Sequence, residues 1–133
     1  MPDCQILFQR LAMQHIGVDI IEIGRIEEAV TNWGERFLNR VYTNAELQLC
    51  CKNPSALAVR FASKEAVMKL LGTGVKGISW KEIETLAYPS GKPLVNLYGK
   101  AQIKAEELGL REIAVSLSHS KEYAIAMVAG EVR

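Results

Sequence analysis

The run IGVDIIEI, residues 16–23, is rich in β-branched side chains and apolar on both alternating faces. This pattern predicts a strand, and apolar character on both faces predicts a central, buried one. Gly24 breaks the run. RIEEAVTNW then has helical spacing, and ERFLNRVY after Gly34 reads as a second short helix. Thr43-Asn44 can cap a third helix over AELQLCCK. Asn53-Pro54 opens a fourth, with Pro54 in its first turn, and Gly72 stops it just after Leu71. The second half turns β-rich. IETLAYP (83–89) and PLVNLY (93–98) flank the turn signal Ser90-Gly91-Lys92. GKAQIKAEELG (99–109) is amphipathic, and REIAVSLSH (111–119) and EYAIAMVAG (122–130) are strands joined by a tight turn. The order β-α-α-α-α-β-β-α-β-β lacks βαβ regularity. It predicts an α+β fold with a mostly antiparallel sheet packed with helices.

Two features depart from this apolar pattern. Asp19 sits inside the first strand, sharing a face with Ile21 and Ile23. A carboxylate there costs several kcal/mol unless it is paired, hydrogen-bonded or on a cation. Backbone amides or a core Arg could satisfy it; a hard metal ion such as Mg²⁺ could too, given a second carboxylate. The fourth helix, 54–71, offers one. It is apolar almost all round: Leu57, Phe61, Met68 and Leu71 on one face, and Ala58, Val59, Ala62, Ala66 and Leu70 over most of the rest. This predicts burial on several sides. Its charges form two i,i+4 pairs. Glu65 with Lys69 is the favoured helix order and reads by default as a surface pair. Arg60 with Lys64 places like charges together, which either a nearby anion or two solvated side chains splaying apart would explain.

Composition narrows the classes. A chain of 133 residues is one domain's length; residues 1–15 read as an N-terminal extension and 16–133 as a single domain. With 49% hydrophobic and 23% charged residues it is globular rather than disordered. The net charge of +1 lacks the basic excess of a nucleic-acid binder, so any anion site is local. No apolar run reaches 18 residues, and no signal peptide is legible. Cys4, Cys50 and Cys51 make neither a disulfide framework nor a metal spacing, which points to a reducing, cytoplasmic compartment.

Two more stretches carry candidate chemistry. LGTGVKG (71–77) follows the long helix, and its glycines could let backbone amides approach phosphate oxygens. It is not a Walker loop, since no GK[ST] follows the spacing, and a plain cap and turn remains the alternative. Ser118 and His119 are strand neighbours and so point to opposite faces, which argues against a serine hydrolase.

Four stretches, in order, resemble the holo-[acyl-carrier-protein] synthase family, the short bacterial-type 4′-phosphopantetheinyl transferases. They are GVDIIEIGRIE (17–27), RFASKEAVMKLLGTG (60–74), GKP (91–93) and VSLSHSKEYAIAMV (115–128). Gly24 departs from the pattern, where a bulkier, often acidic residue is expected, and the leader has no counterpart. The resemblance implies the family fold and its reaction: a serine hydroxyl of apo acyl carrier protein attacks the β-phosphate of coenzyme A. The phosphopantetheine moves to the serine and adenosine 3′,5′-bisphosphate leaves. It implies Asp19 and Glu65 as Mg²⁺ ligands and Lys69 as the group on the diphosphate. The serine proton would go to a metal-bound water or to Glu65. By the same resemblance Arg60, Lys64, Ser118 and His119 contact the coenzyme's phosphates. Gly72, Gly74 and the loop Pro89–Pro93, with Pro93 itself, wall the adenosine pocket. The partner is a small acidic helical domain met by Arg25, with Arg36 and Arg40 as further candidates unless they pair with Glu27, Glu28 and Glu35. Homotrimers with sites at subunit interfaces are implied as well. A non-catalytic coenzyme A or nucleotide-binding module and a structural interaction domain are the rival readings.

Overall fold

The computed structural model describes residues 13–74 and 76–132; the leader with Cys4 lies outside them. Among the described residues, five strands and five α-helices follow the expected order. They are β1 (Met13–Glu22), α1 (Ile23–Trp33), α2 (Glu35–Val41), α3 (Asn44–Cys50), α4 (Pro54–Leu71), β2 (Ile83–Ala87), β3 (Pro93–Leu97), α5 (Gly99–Glu107), β4 (Leu110–His119) and β5 (Tyr123–Val132). β1 begins at Met13 rather than at Ile16. Among the described residues no helix is long and apolar enough to cross a membrane.

The local signals account for these bounds. Asn53 Oδ1 accepts from Ala56 N at 3.0 Å, Pro54 occupies the first turn, and Gly72 closes α4 in the left-handed conformation. At α3, Thr43 and Glu46 form a reciprocal capping box.

The strands form an antiparallel three-stranded sheet, order β1-β5-β4, and a separate β2–β3 hairpin. This corrects one expectation: β5, not β1, is the middle strand. Only one face of β1 is covered. Gly17 is buried against α4, whereas Ile16 and Ile20 on the other face are 59% and 60% exposed. Val18, Ile125 and Met127 share that uncovered face. β1 is apolar on both faces, and its second face has no partner among the described residues.

α4 is the spine and packs chiefly on β1 and β5. Its C-terminal half (Val67, Leu70, Leu71) joins Ile83, Leu110 and Val128 in one core. Its N-terminal half (Leu57, Ala58) joins Ile23, Ile26, Leu38, Val41 and Tyr42 of α1–α3 in a second. Helix and sheet meet through small residues: Ala62 and Ala66 on α4 and Ala126 on β5 are fully buried.

Candidate active site

Asp19 lies on the covered face of β1, level with Ala126 and, one strand further, Leu117. Its side chain is only 10% exposed. Lys69, in the last turn of α4, donates to Asp19 Oδ1 at 2.9 Å and to Val18 O at 3.0 Å. The default i,i+4 pairing of Glu65 with Lys69 is therefore not what forms: the lysine's ion pair is with the strand. Glu65 stands one turn earlier on α4, half-buried. Burial pushes its carboxyl above the usual range, the adjacent Asp19 carboxylate adds to this, and the Lys69 cation offsets part of it. Two carboxyl groups thus converge from different elements, with one ammonium beside them.

Such a pair favours a shared proton or a cation. The donors are hard carboxylate oxygens, which suit Mg²⁺ rather than a soft metal. Among the described residues no group of three or more His, Cys, Asp or Glu gathers as a complete ligand set. Two carboxylates fit an ion that keeps several waters and takes substrate phosphates as further ligands.

The remaining predicted site residues fall in separate places. Gly72 and Gly74 have φ of 73° and 59°, and a Cβ on either would meet nothing within 4 Å, so the loop after Lys69 is open on that side. His119 is exposed, pairs laterally with Ala124, and through it stands level with Ile21, on the face that carries Asp19. Crossing two strand spacings and one residue pair puts its Cα about 12 Å from that of Asp19. Ser118 is level with Ile125 and Ile20, on the uncovered face. Pro93 lines a different feature, a groove of about 730 Å³ between the hairpin and β4, with Lys92, Asn96 and Arg111. None of Asp19, Glu65 or Lys69 touches that groove.

Arg60 and Lys64, expected to contact the coenzyme's phosphates, lie buried and hydrogen-bonded within the chain. Lys64 is fully buried, with all three ammonium protons used: on Glu46 Oε1 at 2.7 Å, on Trp80 O at 3.1 Å, and on Ile83 O. Glu46 also accepts from Thr43 N and Thr85 N, both at 2.9 Å. The anion that relieves the Arg60/Lys64 repulsion is thus Glu46 of α3. Arg60, also buried, donates through Nε to Thr85 O and through Nη1 to Ala56 O, both at 3.1 Å. The missed residue here is Glu46. The signal that could have found it is Thr43-x-x-Glu46, a capping-box spacing.

Arg25, Arg36 and Arg40 are exposed on α1 and α2. Among the described residues they make no ion pair, and Glu35 pairs with Lys52 instead, at 3.5 Å.

Residues 15–128 match the 4′-phosphopantetheinyl transferase superfamily. A holo-[acyl-carrier-protein] synthase of Dehalococcoides mccartyi is 56% identical over 119 residues, covering 90% of this chain and 99% of that relative. One of Herpetosiphon aurantiacus is 51% identical over 121 residues, covering 86% and 95%. The crystal structure of the Helicobacter pylori holo-[acyl-carrier-protein] synthase in complex with coenzyme A superposes with a TM-score of 0.79 at 34% identity, over 86% of this chain and 98% of that one. Family match, sequence identity and superposition together show that the chain belongs to the 4′-phosphopantetheinyl transferase superfamily, among its holo-[acyl-carrier-protein] synthases.

Proposed function

We propose that this chain uses the Asp19–Glu65–Lys69 cluster to transfer 4′-phosphopantetheine from coenzyme A to a serine of apo acyl carrier protein. The observation that carries the assignment is the convergence of two carboxyls and one ammonium from β1 and α4. The serine oxygen bonds to the β-phosphorus, the bond from that phosphorus to the bridging oxygen breaks, and adenosine 3′,5′-bisphosphate leaves. Asp19 and Glu65 would hold a Mg²⁺, which would offset negative charge on the diphosphate. Lys69 turns from Asp19 to the leaving phosphate and stabilises its charge. Glu65 receives the serine proton on a carboxylate oxygen that the cation leaves free. Gly72 and Gly74 keep the approach to Lys69 free of side chains.

The functional unit is a homotrimer with sites between subunits. Two observations support this: the uncovered apolar face of β1 and β5, and the separation of Pro93 from Asp19 within one chain. A neighbouring copy would cover the first and bring the Pro89–Pro93 loop to the second. Arg25, exposed and without an ion pair among the described residues, receives the acidic face of the carrier. The free thiols of Cys50 and Cys51 suit a reducing cytoplasm. Residues 16–133 act as one transferase domain.

The test is a mass measurement on apo carrier protein incubated with coenzyme A, Mg²⁺ and the purified chain. Addition of one phosphopantetheine, lost on chelation of the metal, is the expected result. An unmodified carrier that a known transferase does modify would sink the proposal. Coenzyme A binding indifferent to Mg²⁺, with no turnover, would point to the non-catalytic module.

A further inference from the structure

We infer that Gly17 is a positioning residue for the carboxylate pair: the missing Cβ sets how closely β1 approaches α4, and so how Asp19 meets Glu65. The inference rests on the metal reading proposed above. An ideal Cβ on Gly17 would lie 1.9 Å from Ala66 O, 2.9 Å from Ala66 C and 3.0 Å from Leu70 N. All three are backbone atoms of α4, so no rotamer change can make room. The φ of Gly17 is not in the left-handed region, so space and not backbone freedom demands the glycine here.

The contact falls where the site is built. Ala66 follows Glu65 directly. Asp19 is the next residue after Gly17 on the same face of β1. Lys69 reaches back across this seam to Val18 O and Asp19 Oδ1. A methyl at 17 would have to push strand and helix apart by about 1 Å before its nearest contact reached 3.0 Å. Opening the seam that far would stretch the 2.9 Å Lys69–Asp19 bond out of range and part the two carboxyls. Misplacement of about 1 Å at a reacting centre can cost about a hundredfold in rate, and losing the support of a metal ligand typically costs about 10–100-fold in affinity.

The matched control is Gly130 in β5, in the same sheet. A Cβ there would lie 2.6 Å from Leu110 Cδ2, the far end of a side chain that can turn away. Gly17→Ala and Gly130→Ala are therefore compared by titrating Mn²⁺, followed by its paramagnetic resonance, into the chain loaded with coenzyme A. Transfer rate against Mg²⁺ concentration is measured in parallel. Gly17→Ala is expected to weaken metal binding by at least about tenfold, and Gly130→Ala by less than about twofold. A folded Gly17→Ala with the wild-type metal affinity overturns the inference. Should that variant fail to fold, Ala126→Ser takes its place. It adds one atom beside that seam, on the covered face of β5 level with Asp19, and is expected to weaken the metal in the same direction. An unchanged affinity there overturns the inference equally. If wild type itself binds no metal and transfers nothing, the proposed function fails instead, so the two failures are distinct.

Discussion

Replacing Lys64 by Met removes the cation from a pair that is fully buried on both sides. Burial pushes the Lys64 ammonium below its usual range, and Glu46 pulls it back up. Glu46 would keep its bonds from Thr43 N and Thr85 N, while Trp80 O and Ile83 O would each lose a donor. Breaking one side of a buried pair costs about 3–5 kcal/mol. A chain of this length has an unfolding entropy near 0.28 kcal/mol/K, so the loss corresponds to about 10–18 °C in Tm. Thermal unfolding of Lys64→Met, Glu46→Gln and the double variant measures it. In the double variant neither partner is left as an orphaned buried charge. The double loss should then fall at least about 2 kcal/mol short of the sum of the singles. The half-saturating coenzyme A concentration of Lys64→Met should stay within about twofold of wild type at a temperature where the variant is folded. A variant with unchanged Tm but much weaker coenzyme A binding would refute the structural role and restore Lys64 as a ligand contact.

Two other outcomes follow from particular contacts. Burial pushes the Glu84 carboxyl up, but bonds from Thr43, Tyr98 and Asn96 and the charge of Lys64 outweigh it, so its pKa lies below the usual 4.5. A depressed carboxylate contributes stability that is present above 4.5 and is lost as pH falls through the folded value. Glu84→Gln should therefore be less stable at neutral pH and flatten the decline below 4.5; urea midpoints measured across that range check it, and parallel wild-type and variant curves would contradict it. Ile20→Glu puts a charge in the middle of the uncovered sheet face and should turn a trimer into monomers by light scattering; a wild-type monomer, or an unchanged trimer, would remove that face as the subunit interface.

Much of the fold was legible because its signals are local. Asn53-Pro54 and Gly72 marked both ends of α4, and Ser90-Gly91-Lys92 marked the β2–β3 hairpin. The chemistry of Asp19 was legible because a carboxylate in an apolar strand needs a partner. Its partner could not be read from helical spacing: Lys69 is four residues from Glu65, yet reaches across fifty positions to Asp19. Lys64 misled for the same reason. Its counter-charge, Glu46, lies on another helix, and only the packing of α3 on β2 brings the two together. The position of β1 at the sheet edge was likewise hidden, since a face awaiting another surface has the same apolar pattern as a face already buried.

Transfer by this site requires Asp19 and Glu65 to act as a pair. Asp19→Asn and Glu65→Gln, which keep shape and remove charge, test it by the appearance of phosphopantetheine on apo carrier protein. Each variant is expected to remain folded and to lose at least about a hundredfold in transfer rate. Near-wild-type transfer by either variant would contradict the assignment of the site.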